Sequence, residues 1–208
     1  LAGNFLVKLS QRVGFVYDTR DLTLNPRNGW QIRGIFHYTG GIYGGDSQWL
    51  RLENKYAFYI NPVWSLVFAS FANFIVHSKQ FDGSFQIRDV DRLRFDGLNE
   101  LRGWRTFTRD EIVGRGGKIS FIQEIRFPLF EEILWGVLFA DAGNVTDTLL
   151  SLPTSIQYYS FGFGFRVQIP LIPIRLYFAK RADFNVSSPN KFVFKNGMDV
   201  VFTVGGFF

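Results

Sequence analysis

The segment YSFGFGFRVQI, residues 159–169, alternates strictly between two kinds of side chain. Aromatic and aliphatic residues occupy its odd-numbered positions, and Ser, Gly, Arg and Gln occupy the even-numbered positions between them. Because successive side chains of a β-strand point to opposite faces, this period of two predicts a strand with one apolar and one polar face. Its length also suits a tilted strand that crosses the hydrocarbon core of a membrane.

The same alternation recurs along most of the chain and predicts about nine long strands. The polar face of the third strand carries Arg51, Glu53 and Lys55. Three consecutive charges of mixed sign do not suit a dry sandwich core, whereas they suit a water-filled lumen. A soluble sandwich is the alternative if that face lies in solvent. Besides the segment 159–169 and the third strand, the predicted strands cover approximately residues 5–20, 30–39, 65–77, 118–127, 133–144, 174–181 and 199–208.

The connections between these strands also alternate in length. Short turns follow the third, fifth and seventh strands, and longer loops follow the second, fourth, sixth and eighth. An antiparallel outer-membrane barrel shows this alternation because its turns are periplasmic and its loops extracellular. A soluble sandwich has no reason for it. We therefore expect an all-β fold, an antiparallel transmembrane β-barrel, with residues 1–208 as one barrel domain.

Composition agrees with this class and argues against several others. The 208 residues include 25 Phe and no Cys, and the net charge is +5. No run of about 18 apolar residues exists that could form a transmembrane helix. Lys and Arg are spread over many strands instead of forming one patch, so we expect no nucleic-acid partner. His37 and His77 are isolated, and no nucleophile or phosphate loop is visible, so we expect neither an enzyme nor a cofactor or metal.

A long loop between the fourth and fifth strands covers approximately residues 80–117 and interrupts the alternation. A loop of this length is usually either functional or disordered. Its centre is the segment GLNELRGW, residues 97–104. We expect this loop to fold back into the lumen of the barrel, the space that its inner face encloses.

Four segments resemble the C-terminal barrel half of the BamA-type outer-membrane assembly factors, also called the bacterial surface antigen family. RVGFVYDTRD at residues 12–21, followed by Pro26 and Gly29-Trp30, resembles the family's YDTRD segment and its P-x-x-GW turn. LRGW at residues 101–104 resembles its V-R-G-F/Y signature, and FADAGNV at residues 139–145 resembles its F-x-D-A-G-x-V strand. The last strand ends on an aromatic residue, Phe208, as it does in such barrels.

The resemblance implies a role for the loop motif Leu101, Arg102, Gly103 and Trp104. In such barrels, the arginine of the motif pairs with carboxylates on the two following strands, which here are Glu124 and Asp141. Alternation by itself places both carboxylates on inward faces. The alternative is that Arg102 is a solvated charge on a surface loop.

The resemblance also implies that nine strands are only part of the barrel. A barrel of eight strands is filled by its own side chains and cannot hold so long a loop. The family's barrel has about 16 strands, so we expect this chain to supply the C-terminal part of such a barrel. We then expect an N-terminal part upstream of these residues, which includes periplasmic POTRA domains. The alternative is that several chains assemble into one barrel.

The function implied by the resemblance is assembly of outer-membrane proteins. The chain would insert and fold β-barrel clients through a lateral seam between the first and last barrel strands. Gly205, Gly206 and Phe208 lie in the seam strand, and its glycines either ease opening or let aromatic neighbours pack. The expected partners are unfolded β-barrel clients, the lipid bilayer of the outer membrane and accessory lipoproteins. The alternatives are a two-partner-secretion type of translocation barrel and a passive, porin-like structural barrel.

Overall fold

The computed structural model describes residues 7–63, 65–78, 87–104, 112–131, 133–169, 173–184 and 192–204. Its main element is one antiparallel sheet of ten strands, and a second sheet of two short strands lies in the long loop. In chain order, the strands are β1 (Ser10–Asp18), β2 (Gly29–Thr39), β3 (Trp49–Val63), β4 (Leu66–His77), β5 (Leu93–Arg94), β6 (Val113–Gly114), β7 (Gly117–Phe130), β8 (Leu134–Thr146), β9 (Tyr158–Val167), β10 (Ile174–Phe184), β11 (Phe192–Phe194) and β12 (Asp199–Val204).

The strands of the main sheet follow one another in chain order, except that β5 and β6 are set aside. Both β11 and β12 pair with β10, β11 along residues 182–184 and β12 along residues 174–179. They therefore form one interrupted strand on the same edge, and the ten strands occupy nine positions. The all-β antiparallel fold expected from the alternation is confirmed. Within the described residues, β1 pairs only with β2, and no strand pairs with the outer edge of β12.

The two faces of the main sheet are reversed relative to those of a soluble protein. On β9, the outward side chains of Phe161, Phe163 and Phe165 are 37 to 42% exposed, whereas the inward side chains of Ser160 and Arg166 are at most 3% exposed. Large apolar groups on the outside and buried charges on the inside are the pattern that a strand in a lipid bilayer requires. In the part of the chain that the structure describes, no helix has the length and apolar character needed to span a bilayer.

One end of the inner face is filled by apolar side chains. Val67 and Phe71 of β4 point inward there and explain why the alternation of this strand is the least regular. Arg27, from the turn between β1 and β2, lies over the ring of Trp135 at 5.5 Å. These apolar side chains form one cluster at this end of the inner face. The members of this cluster are Tyr59, Val67, Ala69, Phe71, Ile122 and Trp135.

The long loop lies between β4 and β7, as expected, and 87–104 and 112–116 are its described residues. It is not wholly irregular, because a 3-10 helix spans Asp89–Asp91 and β5 pairs with β6. Leu93 faces Gly114, and Arg94 faces Val113, so this short ladder joins the two arms of the loop. The seam residues Gly205, Gly206 and Phe208 lie outside the described residues.

A charged residue on the outward face tests the orientation of the sheet. Phe163 lies in the middle of β9, so Phe163→Arg in the full-length protein should lower the free energy of unfolding in phospholipid vesicles by about 2–4 kcal/mol. Denaturant titration followed by Trp fluorescence measures it, and Phe163→Leu is the control. A change within about 0.5 kcal/mol, as for a solvent-exposed position, would favour the soluble sandwich.

Candidate functional site in the lumen loop

Arg102 of the long loop lies against the inner face of the sheet and binds two carboxylates. Its Nε donates to Oδ2 of Asp141 at 2.8 Å, and its Nη2 donates to Oδ1 at 2.6 Å. Its Nη1 donates to Oε1 of Glu124 at 2.8 Å, and its backbone N–H donates to Oδ2 of Asp141 at 3.0 Å. The guanidinium therefore makes a two-pronged contact with one carboxylate and a third bond to the other, a geometry that the flat fork of arginine permits.

Glu124 is shared by three guanidinium groups. Besides Arg102, Arg126 contacts Oε2 through Nε at 2.8 Å, and Arg166 contacts Oε1 through Nη2 at 2.6 Å. All four side chains are at most 4% exposed. Because a buried charge without a partner is costly, each member of this group depends on the others. We call Arg102, Glu124, Arg126, Asp141 and Arg166 the lumen charge cluster.

Two aromatic rings complete the surroundings of Arg102. The carbon at the centre of its guanidinium lies 3.7 Å from the ring centre of Phe139 and 4.8 Å from that of Tyr177. Stacking on an aromatic face stabilises a guanidinium without using its hydrogen-bond donors. The hydroxyl of Tyr177 also accepts a bond from Nε of Arg166 at 2.7 Å, so the ring links two arginines of the cluster.

The electrostatics of the loop keep Arg102 charged. Burial lowers the pKa of its guanidinium, but the charge of Asp141 and the hydrogen bonds to it outweigh that effect, and the pKa is raised above its ordinary value. The positive charge is therefore a permanent part of the site. A lysine at this position could not make the same set of bonds, because its ammonium is a single point and not a planar fork.

The other residues of the motif hold the loop backbone in place. Oγ of Ser160 donates to the carbonyl oxygen of Arg102 at 2.5 Å, and Nε1 of Trp104 donates to the carbonyl oxygen of Tyr159 at 3.0 Å. Leu101 is fully buried and packs in an apolar cluster with Trp104. Both backbone contacts are made to β9, so the motif lies across this strand and β8.

Gly103 has a backbone conformation that other residues adopt rarely. Its φ is +85°, and an added Cβ would lie 3.0 Å from Cβ of Ala179 and 3.2 Å from Cβ of Asp199. The loop backbone thus approaches β10 and β12 closely at this point. Glycine meets both requirements because it has no side chain and accepts a positive φ without strain.

A second polar contact supports the loop just before the motif. Nζ of Lys118 donates to both carboxylate oxygens of Glu100, at 3.0 and 2.7 Å, and to the carbonyl oxygen of Arg94 at 3.0 Å. Asn73 of β4 also donates to Glu100, at 3.3 Å. Glu100 in turn accepts the N–H of Asp96 at 3.0 Å, which closes a turn of the loop. The loop is therefore tied to β4 and β7 as well as to β8 and β9.

The structure brings together Arg102, Glu124 and Asp141, the three residues that the family resemblance placed in one site. Arg126 follows Glu124 by two residues, and Arg166 is an even-numbered residue of the segment 159–169, so alternation also places both on the inner face. Nothing in the sequence assigns them, or Tyr177 of β10, to Glu124 or Arg102. The sequence shows only that these side chains share the inward face. It does not show which inward residues lie at the same level of the barrel.

The arrangement of charges fastens the loop to the inner face of the sheet. Within the described ranges, no group of three or more His, Cys, Asp or Glu is placed to hold a metal ion. The carboxylates of the cluster are occupied by guanidinium groups, which leaves their oxygens bonded within the protein. The chemistry of the site is therefore recognition between fixed charges.

The fold and the site define a class: a transmembrane β-barrel with a loop fastened inside it by buried ion pairs. The Omp85 superfamily domain matches residues 3–200, and the chain therefore belongs to the Omp85 superfamily.

Among solved structures, the chain is similar to the crystal structure of BamA from Haemophilus ducreyi lacking POTRA domains 1-3. The TM-score is 0.69 at 16% identity, which shows a shared fold. The match covers 94% of this chain and 42% of that one, so the chain spans about two fifths of its length. None of the curated proteins compared with the chain matches it.

Removing the guanidinium of Arg102 should destabilise the protein strongly. In the full-length protein, Arg102→Ala leaves Asp141 buried without its main partner and should cost about 3–5 kcal/mol of unfolding free energy. Arg102→Lys should recover only part of this. Denaturant titration in vesicles measures both, with Arg88→Ala as the control, because Arg88 is 41% exposed and lies 3.9 Å from Asp46. Equal costs for Arg102→Ala and Arg88→Ala would contradict the pairing.

A side chain at position 103 should disturb the motif more than a side chain at another glycine of positive φ. Gly103→Ala should cost about 1–3 kcal/mol, because strain at φ and contact with Ala179 act together. Gly44→Ala is the matched control: its φ is +72°, but no atom lies within 4 Å of the added Cβ. Unfolding of the two variants under identical conditions gives the difference. A cost no larger than that of Gly44→Ala would show that the close approach to β10 is absent.

Proposed function

We propose that the chain is the C-terminal barrel part of an outer-membrane protein assembly factor, which inserts and folds β-barrel proteins into the outer membrane. The observation that carries this proposal is the buried contact of Arg102 with Glu124 and Asp141. A passive, porin-like barrel predicts no need for Arg102, so replacing this residue distinguishes the two functions. Membership of the Omp85 superfamily and the fold shared with BamA support the same assignment.

In this proposal, the loop keeps the C-terminal strands in a defined curvature. The lumen charge cluster connects the loop to β7, β8 and β9, and Gly103 brings the loop backbone close to β10 and β12. The last strand is then held in position at the edge of the sheet. An edge strand with unpaired backbone groups is a template onto which a client strand can add.

The free energy for client folding comes from the client itself. Backbone pairing and the burial of its apolar face in lipid drive insertion, so no nucleotide and no catalytic residue is required. The protein is thus not an enzyme. The partners are unfolded β-barrel clients and the outer-membrane bilayer, and POTRA domains and accessory lipoproteins belong to the complete assembly.

Arg102 variants in the full-length protein test this function. The variants Arg102→Ala and Arg102→Lys replace the native protein in cells, and the folding of other barrel proteins is followed by their heat-modifiable gel mobility. We expect Arg102→Ala to lower the yield of folded clients at least about tenfold, and Arg102→Lys to give an intermediate yield, because each loses part of the fork contact. Arg88→Ala should leave client folding unchanged.

The amount of each variant in the membrane is measured in the same samples, so that loss of the protein is separated from loss of its activity. Normal client folding by Arg102→Ala at normal abundance would exclude a role of the loop in assembly. Normal client folding combined with loss of one secreted protein would favour the translocation barrel instead.

A further inference from the structure

The 3-10 helix of the long loop makes a second contact with the sheet. This contact shares no residue with the lumen charge cluster. Asp91 lies in the 3-10 helix of the loop, and its side chain is 1% exposed. Its Oδ1 forms an ion pair with Nζ of Lys8, and Oγ of Ser47 donates to its Oδ2 at 3.1 Å. Nη2 of Arg51 donates to its backbone carbonyl oxygen at 3.0 Å.

These contacts come from strands near the opposite edge of the sheet. Lys8 lies two residues before the start of β1, Ser47 lies in the loop between β2 and β3, and Arg51 lies in β3. The lumen charge cluster instead belongs to β7, β8 and β9. In the strand order of the sheet, β1 and β9 are separated by five strands, so the two contacts hold the loop at widely separated points.

The surroundings of Asp91 keep its carboxylate charged and hold its cationic partners in place. Burial raises the pKa of Asp91, but the ion pair with Lys8 and its hydrogen bonds outweigh that effect, so the pKa is lowered and the carboxylate stays ionised. The cations of Lys8 and Arg51 each lie 4.6 Å from the ring centre of Trp49. The aromatic ring therefore helps to position the two cations that contact Asp91.

We propose that Asp91 is a second anchor of the lumen loop, which ties it to β1 and β3 independently of Arg102. The loop is then fixed to the concave face of the sheet at two separate points, Asp91 and Arg102. Between these points, Lys118 of β7 contacts the carbonyl oxygen of Arg94 and the carboxylate of Glu100. The two attachment points set the spacing between β1 and β9. This inference concerns the attachment of the loop alone, so it does not depend on the proposed function.

Hydrogen exchange resolved along the loop tests the second anchor. In the full-length protein in nanodiscs, Asp91→Asn keeps the side-chain volume but removes the charge that Lys8 contacts. We expect exchange to rise roughly tenfold or more in residues 87–94, because a hydrogen bond to a charged group is lost. Exchange in residues 100–104 should change less than about twofold, because Arg102 keeps its own partners.

Asp89→Asn is the matched control on the same 3-10 helix. Asp89 has a side chain that is 78% exposed and pairs with Arg92 of its own turn, so its replacement should leave exchange unchanged in both segments. Equal effects of the two replacements would overturn the proposal. An increase in exchange that is uniform over residues 87–104 would also overturn the proposal, because the two attachment points would then not be independent.

A second variant tests the other side of the same contact and is less disruptive, because the side chain of Lys8 is 36% exposed. Lys8→Met should raise exchange in residues 87–94, and the double variant with Asp91→Asn should show no further rise, since both replacements remove one interaction. Additive effects of the two replacements would show that Lys8 and Asp91 do not act together, and the proposal would fail.

Discussion

The buried pairing of Arg102 with Glu124 and Asp141 is the interaction on which the rest of this structure depends. A guanidinium that is 2% exposed must have partners, and its partners here are two carboxylates on the inner face of the sheet. These ion pairs fix the position of the loop at Arg102. The positive φ of Gly103 and the contacts of Trp104 and Ser160 with the backbone follow from that position.

The lumen charge cluster is a consequence of the apolar outer face of the sheet. Lipid requires apolar side chains outside, so the charges of the strands are collected on the inner face, where they must satisfy one another. Glu124 does this for three arginines, and the rings of Phe139 and Tyr177 cover Arg102. A pairing of this kind contributes more to a single defined position of the loop than to net stability, because desolvation offsets much of the attraction.

The loop and the sheet form one mechanical unit in this arrangement. The loop contacts β1 and β3 near Asp91, β4 and β7 near Glu100, and β8 and β9 near Arg102. A loop attached at one point could move within the lumen. Attachment at several strands restricts that motion, which gives a physical reason for the number of polar contacts along so long a segment.

The sequence by itself determined the long strands and their faces, because alternation is a local property with a period of two residues. The short strands β5, β6 and β11 show no alternation long enough to predict them. It placed Glu124, Asp141 and Arg166 on the inner face, and the resemblance of LRGW to a known motif named Arg102 as their companion. The tertiary structure decided which inward residues meet, because register and tilt join residues that are distant in the chain. Ile122 of β7 faces Asp141, and Glu124 faces Phe139, so the two carboxylates lie diagonally across neighbouring strands. The contact of Lys8 with Asp91 joins residues 83 positions apart, and no local pattern predicts such a pairing.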